Sequence, residues 1–317
     1  MSASEGILSR AVSPFAGLVN RARLGFPGRF FAGTGLPGDD LMGTAVFREL
    51  KKRSPRRLAV ASPHRALFEH NRDVDTIIGH ASPRLSHLLG LGLPLVPLTY
   101  TTYNPLTDGD QPPEEHVLLK LFRRAGLTGK VELRPYLCLT KTEFAAGKIA
   151  ENQVVMQSSN LANAQPMRNQ EWYPERFREI CTELRSDVTV IQLGAASDPK
   201  LEGAIDMRGR TNFRQSAAIL ANALAFVGLA GFLMHLARAV DCRGVIIYGG
   251  REKPAQTGYV ANKNLYTQVR CAPCWLRNPC EFDRKCMDMI TSAQVVAATA
   301  EQIGRYGTLL EVQTEEL

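Results

Sequence analysis

The sequence predicts an α/β protein made of two similarly sized units that face one another across a cleft. Its 317 residues are 44% hydrophobic and 22% charged, an ordinary globular composition that excludes disordered, collagen-like and coiled-coil proteins. Short apolar runs alternate with helical patterns, as in βαβ units with a parallel sheet. Because the alternation restarts after residue 150, we expect domains at 1–150 and 151–317.

In the first half, residues 30–38 are predicted to form a short strand that runs into a glycine-rich turn. A helix then follows over 39–50, with Asp39 and Asp40 near its positive N-terminal end. Pro97 would place its strand at the edge of the sheet, since proline lacks the N–H that a central strand needs. The remaining elements predicted here are strands at 57–62, 74–78, 95–100 and 131–139 and an amphipathic helix over 114–125.

The second half repeats this pattern with strands at 153–157, 188–193 and 245–248 and helices at 174–184 and 213–225. The most apolar stretch, 223–234, is shorter than the ~20 residues that a bilayer span needs, so we expect it to be buried core. In open α/β sheets, ligands bind beyond the carboxyl ends of the strands. The cleft between the two units is therefore the expected site.

Charge and the N-terminus bear on partners and localisation. The formal net charge of +7 and the pI of about 9.1 suit an anionic ligand. Residues 1–30 are basic and amphipathic, which favours either contact with an anionic membrane surface or a lead-in to the first domain. No basic start leads into an apolar segment, so we expect a cytoplasmic protein, with peripheral contact at the inner membrane as one option.

Four of the seven cysteines stand close together near the C-terminus. The spacing C-x2-C-x5-C-x5-C can converge on one tetrahedral metal, and thiolates favour zinc or iron. Because a closed four-thiolate site leaves no open position for substrate, a structural role is expected; a redox pair or four unpaired thiols are the alternatives. A nucleic-acid zinc ribbon is a rival use, but the position at the end of a two-unit body favours an enzyme appendage and no nucleic-acid partner. The candidate ligands are Cys271, Cys274, Cys280 and Cys286.

Polar and glycine residues near predicted strand ends are the other candidates. Asp39, after the glycine-rich turn 33–38, is either a general base for an acceptor hydroxyl or a helix cap. His235, beside the apolar stretch, is either a buried core residue or a catalyst. Arg251 follows two glycines that would let a phosphate approach the backbone.

Together these pieces resemble the bacterial heptosyltransferases of glycosyltransferase family 9. The matching pieces, in the family's order, are Gly38-Asp39-Asp40-Leu-Met-Gly-Thr-Ala-Val, Gln170-Glu-Trp172, the run 226–237, Tyr248-Gly-Gly and the cysteine block. The resemblance implies a GT-B fold of two Rossmann-like domains, with the acceptor on the first, the donor on the second and no catalytic metal. It also implies inverting transfer of a sugar, heptose from ADP-heptose, to a surface glycan or protein.

The resemblance assigns roles to individual residues. It makes Asp39 the catalytic base, and it likens the cysteine block to the iron-binding finger of the autotransporter-modifying branch. Together with the strand-end positions, it gives a donor cradle made of Ser158, Ser159, Asn160, Gly231, His235, Gly250 and Arg251.

Three positions depart from the family's pattern. Ala230 replaces an Asp, Phe232 replaces a Gly, and Gln170 replaces a phosphate-binding Lys. Phe232 would intrude where a diphosphate sits, and Arg168 or Arg251 would have to supply the missing charge. These departures motivate an alternative function, a catalytically degenerate glycosyltransferase that serves as a binding or scaffold protein.

Overall fold

The computed structural model describes residues 29–79, 95–162 and 165–317. The predicted membrane-surface segment falls largely on residues 1–28, which lie outside the described residues. The first unit is built on a parallel sheet of four strands, β1 (Arg29–Ala32), β2 (Leu58–Ala61), β3 (Thr76–Ile78) and β4 (Leu95–Pro97). Their order in the sheet is β3-β2-β1-β4. As Pro97 indicated, the strand that contains it lies at an edge.

The helices of this unit begin where the local sequence favours it. Helix α1 (Pro37–Arg53) has a proline in its first turn and a well-buried apolar face. His116 caps α2 (Val117–Arg124) by accepting the N–H of Leu118, and Thr140 forms a capping box at α3 (Lys141–Ala146). A small antiparallel hairpin joins β5 (Tyr103–Asn104) to β6 (Gly109–Asp110).

The second unit is built on a six-stranded parallel sheet. Its strands are β8 (Gln153–Met156), β9 (Thr189–Gln192), β10 (Ile205–Asp206), β11 (Ala225–Leu229), β12 (Gly244–Gly249) and β13 (Lys263–Tyr266). Their order in the sheet is β10-β9-β8-β11-β12-β13. Its helices are α4 (Pro174–Leu184), α5 (Phe213–Ala221), α6 (Phe232–Ala239), α7 (Pro254–Thr257), α8 (Lys285–Asp288) and α9 (Ser292–Gly304).

The predicted α/β class with parallel sheets is confirmed. The apolar stretch 223–234 is largely buried, as predicted, and it contains β11 and the start of α6. The sequence pattern did not indicate β11, and the helix predicted over 213–225 ends at Ala221 as α5. The strand predicted over 131–139 is shorter than predicted and covers only β7 (Lys130–Glu132), because Pro135 cannot donate a ladder hydrogen bond. Strand β7 is not part of the parallel sheet.

The C-terminus returns to the first unit. Strand β14 (Thr314–Glu316) pairs antiparallel with β7, so the C-terminal residues contact the first unit although they follow the second in the chain. The predicted boundary between 1–150 and 151–317 stays a prediction. Among the described residues, no helix is long and apolar enough to cross a membrane.

Buried polar contacts fix the two units against each other. Arg214, on α5, donates to Cys138 O at 2.8 Å and to Ala66 O at 3.1 Å, and it forms an ion pair with Glu143. Helices α1 and α6 also contact each other directly. These contacts place the loop after β1 opposite the loop after β11.

Candidate active site

Residues from both units line a small cavity in the predicted cleft. It measures about 100 Å³, and its lining includes Asp39, Asp110, Gln170, Gly231, His235 and Arg251. A second cavity, of about 310 Å³, has a lining that includes Ser159, Asn160, Asp198, Phe213, Gly231 and Phe232. Gln170 and Gly231 line both cavities, so the two are adjacent. We call them the small cavity and the large cavity. Six of the eight predicted catalytic and donor residues line one or both cavities.

Asp39 is a buried carboxyl at the first turn of α1, only 8% exposed. Burial raises the pKa of Asp39 to about 7, against the hydrogen bond from Thr34, and the charge of Asp40 raises it further. The Thr34 hydroxyl donates to Oδ2 of Asp39 at 2.7 Å. A carboxyl that titrates near neutral pH can accept a proton from a hydroxyl substrate, as a general base does.

Asp40 lies deeper than Asp39 and is fully buried. It accepts a hydrogen bond from the Ser62 hydroxyl, and its Oδ2 lies 2.9 Å from Nδ1 of His64. A side chain at Gly33 would come within 2.2 Å of Asp40 Oδ1, which explains a glycine at that position. The alternative role of helix cap is wrong for both acids, because Leu36 is the N-cap and no side chain caps α1.

Across the cleft, Gly231 is the N-cap of α6, with a φ of 156°. A Cβ added there would lie 2.9 Å from Nδ2 of Asn160, which donates to Ala230 O at 2.9 Å. Only a glycine fits this turn without a shift. The first N–H groups of a helix favour an anion, so this turn is suited to a phosphate.

His235 contributes a neutral imidazole to the small cavity. Burial lowers the pKa of His235 to about 3, with a smaller contribution from His116, so the ring is uncharged at neutral pH. Its Nδ1 lies 2.6 Å from the Tyr259 hydroxyl. His235 is therefore both a hydrogen-bonded buried histidine and a residue that lines the cavity.

Two predicted donor residues serve the protein's own loops instead. The Ser158 hydroxyl donates to Pro199 O at 2.6 Å and accepts from Gln192 Nε2 at 2.9 Å, and the residue is fully buried. A Cβ at Gly250 would lie 2.9 Å from Cβ of Cys286, so this glycine makes room for the cysteine block. The sequence placed both residues at the correct strand ends, but strand ends also carry loop contacts.

The predicted phosphate contact of Arg251 is also occupied by protein groups. Arg251 Nη2 lies 2.5 Å from Asp110 Oδ2, and its Nη1 lies 3.2 Å from Glu252 Oε1. Arg277, which sequence reasoning missed, lies 2.6 Å from Asp110 Oδ1. Gln170 donates to Glu252. Both arginines that line the small cavity are thus paired with carboxylates.

Phe232 packs against a second aromatic ring. Its centroid lies 5.0 Å from that of Phe213 in an edge-to-face contact, and both rings line the large cavity. Phe213 also contacts His64 of the first unit, at 5.6 Å between centroids. The obstruction of a diphosphate by Phe232 stays a prediction, and the ring is held in a wall of the cavity.

The four clustered cysteines line one cavity of about 250 Å³. The N–H of Arg284 donates to Sγ of Cys280 at 3.2 Å, and backbone hydrogen bonds also reach Cys274 and Cys286. Within the described ranges, however, no three His, Cys, Asp or Glu side chains are arranged to hold a metal ion. The structure brings the predicted ligands together without forming the tetrahedral set.

The sequence suggested that the cysteine block is an appendage at the end of the two-unit body. In the structure, the block is not separate from that body. Its backbone pairs with the β5–β6 hairpin of the first unit: Asp110 N donates to Trp275 O at 2.9 Å, and Arg277 N donates to Asp108 O at 2.8 Å. The block therefore bridges the two units beside the small cavity.

The sequence and the fold of this chain both resemble those of known proteins. Residues 161–285 match the family model of glycosyltransferase family 9 (heptosyltransferase). The matched region contains Gly231, His235 and Arg251, and the resemblance to family 9 is confirmed over this region. The match supports a glycosyltransferase. Assignment to a cysteine-containing branch of family 9 stays a prediction.

Solved structures of bacterial glycosyltransferases share the fold. Heptosyltransferase II of E. coli, an ADP-heptose lipopolysaccharide enzyme, is 14% identical with a TM-score of 0.65, over 87% of this chain and 98% of that one. A family 9 protein from Veillonella parvula is 13% identical with a TM-score of 0.64, over 88% and 97%.

The iron-containing dodecameric glycosyltransferase TibC of enterotoxigenic E. coli is 17% identical with a TM-score of 0.66, over 88% of this chain and 77% of that one. These three likenesses confirm the predicted GT-B fold. No curated protein matches the sequence.

Proposed function

We propose that this protein is an inverting glycosyltransferase that moves a sugar from a nucleoside-diphosphate donor to a hydroxyl of a surface glycan or protein. One observation carries the proposal: Asp39 and the N-terminus of α6 line the same cavity from opposite units. Displacement at an anomeric carbon needs a base on one side and a place for the departing diphosphate on the other. The cavity offers both.

The large cavity is the place for the nucleoside. Because Gly231 lines both cavities, a diphosphate at this turn leaves the nucleoside on the side of Phe213 and Asp198 and the sugar on the side of Asp39. An aromatic side chain can stack on the nucleotide's base, and a carboxylate can accept hydrogen bonds from the ribose hydroxyls. TibC has been solved in complex with ADP-D-β-D-heptose, which makes ADP-heptose the first donor to test.

In the proposed reaction, the Asp39 carboxylate takes the proton of the acceptor hydroxyl. The acceptor oxygen forms a bond to the anomeric carbon as the bond from that carbon to the diphosphate oxygen breaks. The nucleoside diphosphate leaves with the bonding electrons, and the anomeric configuration inverts. Neutral His235 adds no positive charge beside the diphosphate.

A panel of nucleotides tests donor binding. ADP, UDP, GDP and ADP-heptose are added to the purified protein, and unfolding is followed on heating. A ligand at a hundredfold its dissociation constant adds ~2.7 kcal/mol, which raises the midpoint visibly. We expect one nucleotide and its sugar derivative to stabilise the protein, and no shift with any of them would contradict the proposal.

The variant Gly231→Ala tests whether the diphosphate of the nucleotide binds at the turn before α6. The added Cβ would push on Asn160 at the turn that receives the diphosphate, so the nucleotide shift should shrink. Gly304→Ala is the matched control, since an added Cβ there meets nothing within 4 Å. A Gly231 variant that remains folded and binds nucleotide as tightly as the control would place the diphosphate elsewhere.

A binding or scaffold protein without turnover is the second candidate. The small cavity favours this candidate because it offers no unpaired arginine or lysine charge to a diphosphate among the described residues that line it. Gln170 replaces the family's lysine, and Arg251 and Arg277 are both paired with Asp110. A departing diphosphate would then lack stabilisation. Nucleotide binding without release of ADP from ADP-heptose, under any acceptor condition, would identify this candidate.

We also propose that Cys271, Cys274, Cys280 and Cys286 bind one structural iron or zinc ion. Support comes from their shared cavity, the N–H group aimed at Cys280 Sγ and the iron in the structurally similar TibC. Binding would draw the thiolates together from their positions in this structure. The metal has no part in the sugar transfer.

A further inference from the structure

A single carboxylate in the cleft holds two arginines. Asp110 Oδ2 lies 2.5 Å from Arg251 Nη2 and 3.1 Å from Arg277 Nε, while Oδ1 lies 2.6 Å from Arg277 Nη2. The side chains of Asp110 and Arg251 are 4% and 2% exposed, and that of Arg277 is 13% exposed. This is a largely desolvated, multidentate arrangement.

The two guanidinium groups are held in place by other contacts. Arg251 lies 5.0 Å from the ring centroid of Trp275 and donates from Nε to Leu276 O. Arg277 lies 4.1 Å from the ring centroid of Tyr103. Preorganised, planar, two-pronged donors are the groups that bind carboxylate and phosphate oxygens in proteins. The arginine pair is thus an anion-binding arrangement that already contains an anion.

The position of this pair links it to the cleft. Asp110, Arg251 and Arg277 all line the small cavity together with Asp39 and Gly231. Asp110 belongs to the first unit, on the short β5–β6 hairpin, whereas both arginines belong to the second. A shift of the hairpin would therefore free both guanidinium groups from Asp110 inside the small cavity, where family 9 has its lysine and this chain has Gln170. Arg251 Nη1 would stay 3.2 Å from Glu252 Oε1.

We propose that Asp110 occupies, as the chain's own anion, a phosphate-binding site formed by Arg251 and Arg277, and that a substrate phosphate takes its place. The identification of that phosphate as the donor's rests on the proposed function. The exchange breaks the ion pairs of Asp110 and forms equivalent pairs to phosphate oxygens, with no covalent step. Asp110 then competes with the ligand, and its removal should tighten binding.

The test measures the affinity for inorganic pyrophosphate by calorimetry in wild type and in Asp110→Asn. We expect binding in the variant to be about tenfold tighter, because a competing like charge is gone. Asp108→Asn is the matched control: it removes the same charge from the same hairpin, where Asp108 bonds Tyr103 and Asn278 instead. Its affinity should equal that of wild type.

Arg277→Gln in the wild-type background keeps the test valid if Asp110→Asn is unstable. Pyrophosphate should bind this variant more weakly than wild type. The double variant, Asp110→Asn with Arg277→Gln, should lose the increase in pyrophosphate affinity that Asp110→Asn gives alone. Unchanged or weaker binding in folded Asp110→Asn, or wild-type binding in Arg277→Gln, would overturn the proposal.

Competition with ADP then identifies the source of the phosphate. Displacement of pyrophosphate by ADP assigns the site to the donor, and simultaneous binding assigns it to an acceptor phosphate; both outcomes support the exchange. Failure of the proposed function is recognised separately, since it leaves the nucleotide panel without any shift while the pyrophosphate measurements still report on Asp110.

Discussion

The Thr34 hydroxyl donates a 2.7 Å hydrogen bond to Oδ2 of Asp39, the carboxyl that faces the turn before α6. This bond stabilises the charged form and opposes burial, which is the larger effect. The pKa of about 7 is the net result. The hydrogen bond from Thr34 thereby lowers the pH at which Asp39 can act as a base.

Thr34→Val should therefore raise the pKa of Asp39, since it removes the donor and keeps the size of the side chain. The rising limb of the pH profile of turnover should move to higher pH. Initial rates of ADP release across neutral pH measure this shift. Thr101→Val, which also lines the small cavity, is the control and should leave the profile in place. A shift towards lower pH in Thr34→Val would be evidence against this role.

Asp40→Asn should have the opposite effect. The charge of Asp40 raises the pKa of Asp39, so a neutral isostere should lower it and move the rising limb to lower pH. The same rate measurements apply. If the rising limb of the pH profile moved in the same direction in Thr34→Val and in Asp40→Asn, Asp39 would not be the group that titrates.

The stability of Asp39→Asn should depend on pH with a defined sign. The pKa is raised from 3.8 in the unfolded chain to about 7 in the folded protein, so ionisation opposes folding. Stability from the neutral carboxyl is full below about pH 4 and is lost as pH rises through about 7. Above that pH the variant should be the more stable protein, by on the order of 4 kcal/mol. Urea unfolding at about pH 4 and above pH 7 measures this change, and an equal stability difference between variant and wild type at both pH values would contradict the assigned burial.

The cysteine block should carry metal in the purified protein. We expect about one iron or zinc atom per chain by elemental analysis, because four thiolates fill a tetrahedral site. Cys274→Ser and Cys286→Ser should lose the metal and unfold at lower temperature. Cys138→Ser, outside the block, is the control. Metal content that is unchanged in both block variants, or absent from the wild type, would refute the proposed site.

The sequence predicted what local patterns determine. Apolar strand runs alternating with helices specify the parallel sheets, and Pro97 marked an edge strand correctly. The glycine-rich turn before Asp39 and the turn at Gly231 both follow strands, and such turns meet at one edge of a cleft. Together with the family resemblance, these positions placed Asp39, Gly231 and His235 at the cleft without coordinates, and the structure shows that all three line the small cavity. Their roles stay predictions.

The contacts around Asp110 could not be predicted in this way. Asp110 and Arg277 are 167 positions apart, and nothing in the spacing of either residue indicates the other. Their pairing depends on how the β5–β6 hairpin meets the cysteine block across the two units. The same tertiary contacts pair Arg251 with Asp110 in this structure, while its contact with a phosphate stays a prediction. Packing against Cys286 accounts for Gly250.

The most direct test of the proposed activity is the release of ADP from ADP-heptose by wild type and Asp39→Asn, with surface-glycan and protein extracts as acceptors. A base that is lost should cost roughly 10²–10⁴-fold in turnover, while the folded variant still binds the donor. We expect a large loss of turnover with donor affinity retained. Wild-type turnover in folded Asp39→Asn would contradict the assignment of Asp39 as the base.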